Sequence, residues 1–168
     1  ACLCDFGGTL EADGATWQDR FFALYEKHGL HPDREVFRQA FYAADDSLTE
    51  GGAIAGAGLQ ETLETQGERL WKALGLRDDR DRVRAIAADF LGGMKWYVER
   101  NRPLLLSLSG CYDLGIVSNF YGNLDKVFED LGIRDLFPCI IDSSRVGVLK
   151  PDARIFQAAL DRMGVRPE

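Results

Sequence analysis

The chain has 168 residues, 46% of them hydrophobic, which is enough for a sizeable core. Its 27 acidic residues against 20 basic ones give a net charge of −7, and such a surface argues against binding a nucleic-acid phosphate backbone. No apolar run has the length needed to cross a membrane and no signal-peptide pattern is visible, so the expectation is a cytoplasmic protein with neither membrane nor nucleic acid as partner.

The first element is the apolar run from Ala1 to Cys4, read as a buried strand that delivers one carboxylate, Asp5. Gly7, Gly8 and Thr9 follow at once and read as the loop after that strand. In open parallel sheets, ligands bind just beyond the carboxyl ends of strands. Asp5 therefore stands where a reacting carboxylate should stand.

Residues 15–102 read as helices. Trp17, Phe21, Leu24, Tyr25 and His28 fall on one helical face, closed by Gly29. Phe37, Phe41, Ala44 and Leu48 make a second face, and Leu59, Leu63, Leu70, Trp71 and Leu74 a third that stops at Gly75. Val83, Ile86, Phe90, Leu91 and Met94 make a fourth, running towards Pro103. All four show three-and-four spacing, and such stripes can be buried against one another as a small bundle. The glycine-rich stretch Gly51–Gly58 does not follow a strand, so it is read as a link between two helices rather than a dinucleotide fingerprint.

Beyond Pro103 the pattern alternates. A short helix is expected over 104–108, a strand over 114–117, a helix over 124–131, a strand over 139–141, and a helix that Pro151 opens and Gly164 closes. This is the alternation of a parallel α/β sheet with a helical insert directly after its first strand. A further parallel strand is expected after that last helix, so the core reads as incomplete and the sequence as part of a longer protein. Cys2, Cys4, Cys111 and Cys139 have no paired spacing and are read as free thiols.

Three segments carry a family resemblance. Asp5-Phe6-Gly7-Gly8-Thr9-Leu10, the strand that ends in Ser118-Asn119, and Lys150-Pro151-Asp152 followed by Ile155-Phe156 occur in the right order. Together they resemble the first three motifs of the haloacid dehalogenase-like superfamily. The resemblance implies a Rossmann-like core, 1–14 and 103–168, with a helical cap over 15–102. It implies a hydrolase that uses Asp5 as nucleophile on a small phosphorylated substrate, through an aspartyl-phosphate. Lys150 would neutralise charge, while Gly8, Thr9, Ser118 and Asn119 would contact phosphate or substrate. Magnesium would be held by the Asp5 carboxylate and the Gly7 carbonyl, with further acidic ligands on a fourth-motif strand beyond Glu168.

One position departs from the pattern. The family's second first-motif aspartate, which protonates the leaving group, is Gly7 here. General acid–base help is typically worth about a hundredfold to ten-thousandfold, and glycine supplies none. A phosphatase-like hydrolase comes first. A haloacid dehalogenase- or phosphonatase-like hydrolase comes second, and a protein that has kept the fold only for binding comes third. The dehalogenase reading wants an arginine near the first loop, and Arg20 is the nearest. The phosphonatase reading wants a cap lysine, and Lys27, Lys72 and Lys95 are available without a distinguishing pattern.

Overall fold

A computed structural model of the chain describes residues 1–50 and 54–166. Three parallel strands form one sheet in the order β1 (Cys2–Cys4), β2 (Leu114–Ser118), β3 (Cys139–Asp142). Cys4 lies opposite Ile116, and Ser118 opposite Asp142. The strands are the three apolar runs of the sequence, and the central one is buried throughout.

Side chains alternate between the two faces of the sheet, as the pleat requires. Leu114, Ile116 and Ile140 join one core with Phe6, Phe120, Phe128 and the long helices. Val117, Cys139 and Ile141 join the other with Ile155 and Ala159 of the last helix. Gly115 sits where nothing larger fits: a Cβ there would lie 2.7 Å from Leu3 Cδ2 and 3.0 Å from Met163 Sδ.

Between β1 and β2 run four helices, α1 (Trp17–Lys27), α2 (Arg34–Leu48), α3 (Leu59–Ala73) and α4 (Arg80–Ser109). Their starts are chemically marked. Thr16 Oγ1 accepts from the Asp19 N–H, and the Thr16 hydroxyl donates to Asp19 Oδ2. Asp33 accepts from the Glu35 and Val36 N–H groups, and Asp79 from that of Arg82. The expected apolar faces are the buried ones: Phe21 and Tyr25, then Phe37, Phe41 and Ala44, then Leu63 and Leu70, then Ile86, Phe90 and Met94. Of the glycine-rich link, Gly51–Ala53 lie outside the described residues. Ile54 and Ala57 are buried beside Leu48.

Two expectations fail. No helix boundary falls at Pro103, because α4 continues through it to Ser109. A proline costs a helix one hydrogen bond and some clash, but here packing outweighs that. Val98 and Leu105 are buried on either side, and Arg102 bonds both Glu99 and the carbonyl of Gly132. Pro151 does not open the last helix either. After α5 (Leu124–Asp130), a single 3-10 turn and the short α6 (Ser143–Val146), helix α7 (Ala153–Met163) starts behind Asp152, whose carboxylate caps the Arg154 N–H. Cys2, Cys4, Cys111 and Cys139 are free, with Cys139 buried and Cys111 exposed.

The inserted helices meet the loops that leave the strands. Asn101 of α4 donates to the Leu10 carbonyl. Asn123, just after β2, donates to Ala57 and Thr62. The helices are thus tied to the carboxyl-terminal end of the sheet.

Candidate active site

Asp5 follows β1 directly. The chain then turns tightly, with Phe6 buried and its carbonyl accepting from the Thr9 and Leu10 N–H groups. The Asp5 carboxylate is fixed from two sides. Its Oδ1 accepts from the Phe6 N–H at 2.7 Å and faces Lys150 Nζ at 2.6 Å. The pair is partly exposed, so its contribution to stability is small. Its consequence is chemical: a cation stands within reach of anything that meets the carboxylate.

Asn119 positions that lysine. Its side chain accepts from the Lys150 N–H at 2.7 Å and donates to the Lys150 carbonyl at 3.2 Å. The amide closes a two-point clamp between the end of β2 and the segment before α7. Asn119 thus holds the backbone of Lys150, in addition to any contact with substrate.

The remaining expected site residues are placed less directly. Ser118 ends β2 and is buried, and no hydrogen bond joins it to Asp5 among the described residues. Thr9 is exposed, and its N–H is taken by Phe6. The Gly8 N–H donates to Glu11 rather than pointing unengaged into the site. Gly8 has φ +78, and a Cβ there would press on the Ala15 carbonyl at 3.2 Å, so this loop conformation selects glycine. Gly7 is different. Its φ is not positive, and nothing lies within 4 Å of a Cβ built on it. Asp142 is a support: it is buried and accepts from the N–H groups of Gly122, Leu124 and Ser144. Burial pushes its carboxyl above the ordinary range, and those three donors pull it back.

Glu11 is the residue that the sequence did not reveal. It is fully buried and accepts from the Gly8 N–H at 3.0 Å, Trp17 Nε1 at 2.6 Å and Arg20 Nη1 at 2.9 Å. The loop carrying Asp5 is thereby bolted to α1. Burial raises the Glu11 carboxyl above its ordinary value, against the lowering effect of Gly8, Arg20 and Trp17. Arg20 also lies over the Phe90 ring at 4.0 Å. The one sequence signal was the spacing of Trp17 and Arg20, which puts both on one helical face three residues apart.

A cavity of about 220 Å³ opens beside the loop. Gly7, Asn119 and Asp45 line it together with Trp17, Phe41 and Tyr121. Its aromatic side is a connected wall, with Trp17 5.9 Å from Phe120 and Phe120 4.7 Å from Tyr121, ring centre to ring centre.

Magnesium prefers six oxygens and commonly keeps several waters beside one or two carboxylates. No group of three His, Cys, Asp or Glu side chains suited to a metal occurs among the described residues. Asp142 spends both carboxylate oxygens on backbone N–H groups. The expected pair, Asp5 and the Gly7 carbonyl, does not make a magnesium site alone.

Fold and site together define an α/β protein with an acid–lysine centre at the carboxyl ends of its parallel strands, under inserted helices. The chain belongs to the haloacid dehalogenase-like hydrolase family, whose model matches residues 1–168. It is 29% identical over 140 residues to the mouse haloacid dehalogenase-like hydrolase domain-containing protein 3, covering 79% of this chain and 55% of that protein. Over 60 residues it is 45% identical to the glyceraldehyde 3-phosphate phosphatase of Methanothermobacter thermautotrophicus, covering 34% of this chain and 26% of that enzyme. The chain thus spans little more than half the length of the first curated relatives it matches, 55% and 59%. The L-2-haloacid dehalogenase of Xanthobacter autotrophicus shares the fold at 18% identity, with a TM-score of 0.53 over 99% of this chain and 66% of that one.

Proposed function

We propose that the chain carries the nucleophile and the charge-neutralising lysine of a hydrolase for small phosphate monoesters. The observation that carries this reading is the 2.6 Å pairing of Lys150 Nζ with Asp5 Oδ1 beside a cavity at the strand ends. A carboxylate attacking phosphorus and the phosphoryl oxygens around it are both negative, so a fixed cation is the first requirement of the transfer. The phosphatase relative, similar to the chain over 60 residues, supports phosphate rather than halide chemistry.

In this mechanism Asp5 attacks phosphorus in line, and the bond to the ester oxygen breaks. The phosphoryl group passes to Asp5 as an acyl phosphate. Lys150, held at its backbone by Asn119, offsets the charge on the nucleophile and on the transferring group. Water then attacks phosphorus, releasing inorganic phosphate and regenerating the Asp5 carboxylate.

The dehalogenase alternative needs a cation near the loop for its substrate's own carboxylate. Arg20 is committed to Glu11 at 2.9 Å. The phosphonatase alternative needs a lysine at the centre, whereas Lys27 is 65% exposed and paired with Asp89. The test is a panel of phosphate esters and 2-haloacids. Phosphate release that disappears in Asp5→Asn, and falls about a hundredfold or more in Lys150→Ala, is expected. Halide release without phosphate release would refute the reading.

A further inference from the structure

Gly7 leaves the loop without a proton donor, and the loop does not require glycine there. The φ of Gly7 is not positive, so the backbone does not call for glycine, and the space where a Cβ would stand is open. Gly7 lines a cavity, and one carboxylate lines it too, Asp45 of α2.

We propose that Asp45 is the leaving-group proton donor of this enzyme, acting through the cavity that it shares with Gly7. The proposal rests on the phosphate-ester reading above and deepens it. Asp45 is held for such a task. Its Oδ1 accepts from the Tyr121 hydroxyl and from Gln66 Nε2 at 3.1 Å. Gln66 is fully buried and so is a fixed donor. With Oδ1 anchored, Oδ2 has no partner among the described residues and is the oxygen on which a proton can ride.

The surroundings favour the protonated form. Burial is the largest influence on the Asp45 carboxyl and raises it; Asp46, beside it on α2, raises it further, while Tyr121 and Gln66 lower it. The elements around it present neutral groups: Gln66 from α3, Trp17 and Gln18 from α1, and Asn119 and Tyr121 from the segment after β2. No lysine or arginine is among the groups that shift it. A carboxyl group whose protonated form burial favours is suited to proton donation.

The step balances simply. As the Asp5 oxygen bonds to phosphorus, the ester P–O bond breaks, and its electron pair stays on the leaving oxygen. The Asp45 proton goes to that oxygen, giving a neutral alcohol, the aspartyl-phosphate and an Asp45 carboxylate. In the second half, attacking water gives its proton to Asp45 and its oxygen to phosphorus. Asp5 leaves as a carboxylate, and Asp45 is again an acid.

The experiment compares kcat/KM for an alkyl ester, glycerol phosphate, with that for p-nitrophenyl phosphate, whose leaving group departs without a proton. This ratio reports only the steps up to the first phosphoryl transfer. Asp45→Asn keeps an acceptor for Tyr121 and Gln66. It is expected to lose about a hundredfold to ten-thousandfold on the alkyl ester and under about tenfold on the aryl ester. The parent's alkyl rate should also fall as pH rises through the Asp45 titration, and that limb should vanish in the variant. Adding Gly7→Asp to Asp45→Asn should restore much of the alkyl rate. An equal loss on both esters makes Asp45 merely structural and overturns the proposal, as does no loss on either. A parent that hydrolyses neither ester overturns the phosphate-ester reading itself, and the proposal with it.

Discussion

Glu11 offers the sharpest test of how the Asp5 loop is built. The perturbation is Glu11→Ala. It removes a carboxylate with no exposed surface and three short hydrogen bonds, from Gly8 at 3.0 Å, Trp17 at 2.6 Å and Arg20 at 2.9 Å. The Arg20 guanidinium, 13% exposed, stays behind without its counter-charge. Breaking a buried pair from one side costs about 3–5 kcal/mol, and that is the expected loss in urea denaturation at pH 7. Glu11→Gln keeps an acceptor and should lose clearly less. The pH dependence has a definite sign. The folded carboxyl is raised above its ordinary 4.5, chiefly by burial. Above that pH, and up to its own raised value, the folded state holds more protons than the unfolded state, so stability falls as pH rises. The parent's advantage over Glu11→Gln should therefore shrink as pH climbs above about 4.5 and level off once the folded carboxyl has ionised. A loss under about 1 kcal/mol for Glu11→Ala, too small for a buried pair, or an advantage that grows with pH, would refute this account of the loop.

Other positions test the frame around the site. Gly115→Val drives a side chain into Leu3 and Met163, so it should cost about 1–3 kcal/mol in urea denaturation. Pro103→Ala restores a backbone donor in the middle of α4 and should stabilise by about 1 kcal/mol or more, raising the melting temperature. Asn119→Ala removes both bonds to the Lys150 backbone. It should lower kcat by about tenfold or more through misplacement of the cation, with a stability loss of only about 1–2 kcal/mol.

Much of the fold was legible because single residues carry unambiguous signals. Three apolar runs became three strands, with the second in the middle. Phe37, Phe41 and Ala44 keep helical spacing on a buried face. The failures have one physical cause, which is that tertiary contacts override local signals. Pro103 reads as a breaker, yet Val98, Leu105 and Arg102 hold the helix through it. Glu11 carries no signal of its own in the sequence, because the donors that make its burial tolerable come from Trp17 and Arg20 after the chain turns back. Asp45 sits between buried Phe41 and Leu48 in sequence and gains its meaning only when α2 closes against Tyr121. The Asp5–Lys150 pairing joins residues 145 positions apart, a span bridged in the sequence only by the family resemblance.

The most direct test of the central claim is to trap the covalent intermediate. The protein is mixed with p-nitrophenyl phosphate, quenched, reduced with borohydride and mapped by peptide mass spectrometry. An acyl phosphate on a carboxylate is reduced to an alcohol, which marks the carboxylate that attacked. The account predicts that mark on Asp5, its loss in Asp5→Asn, and no turnover by that variant. Turnover with the mark on another residue, or undiminished turnover in Asp5→Asn, would contradict it.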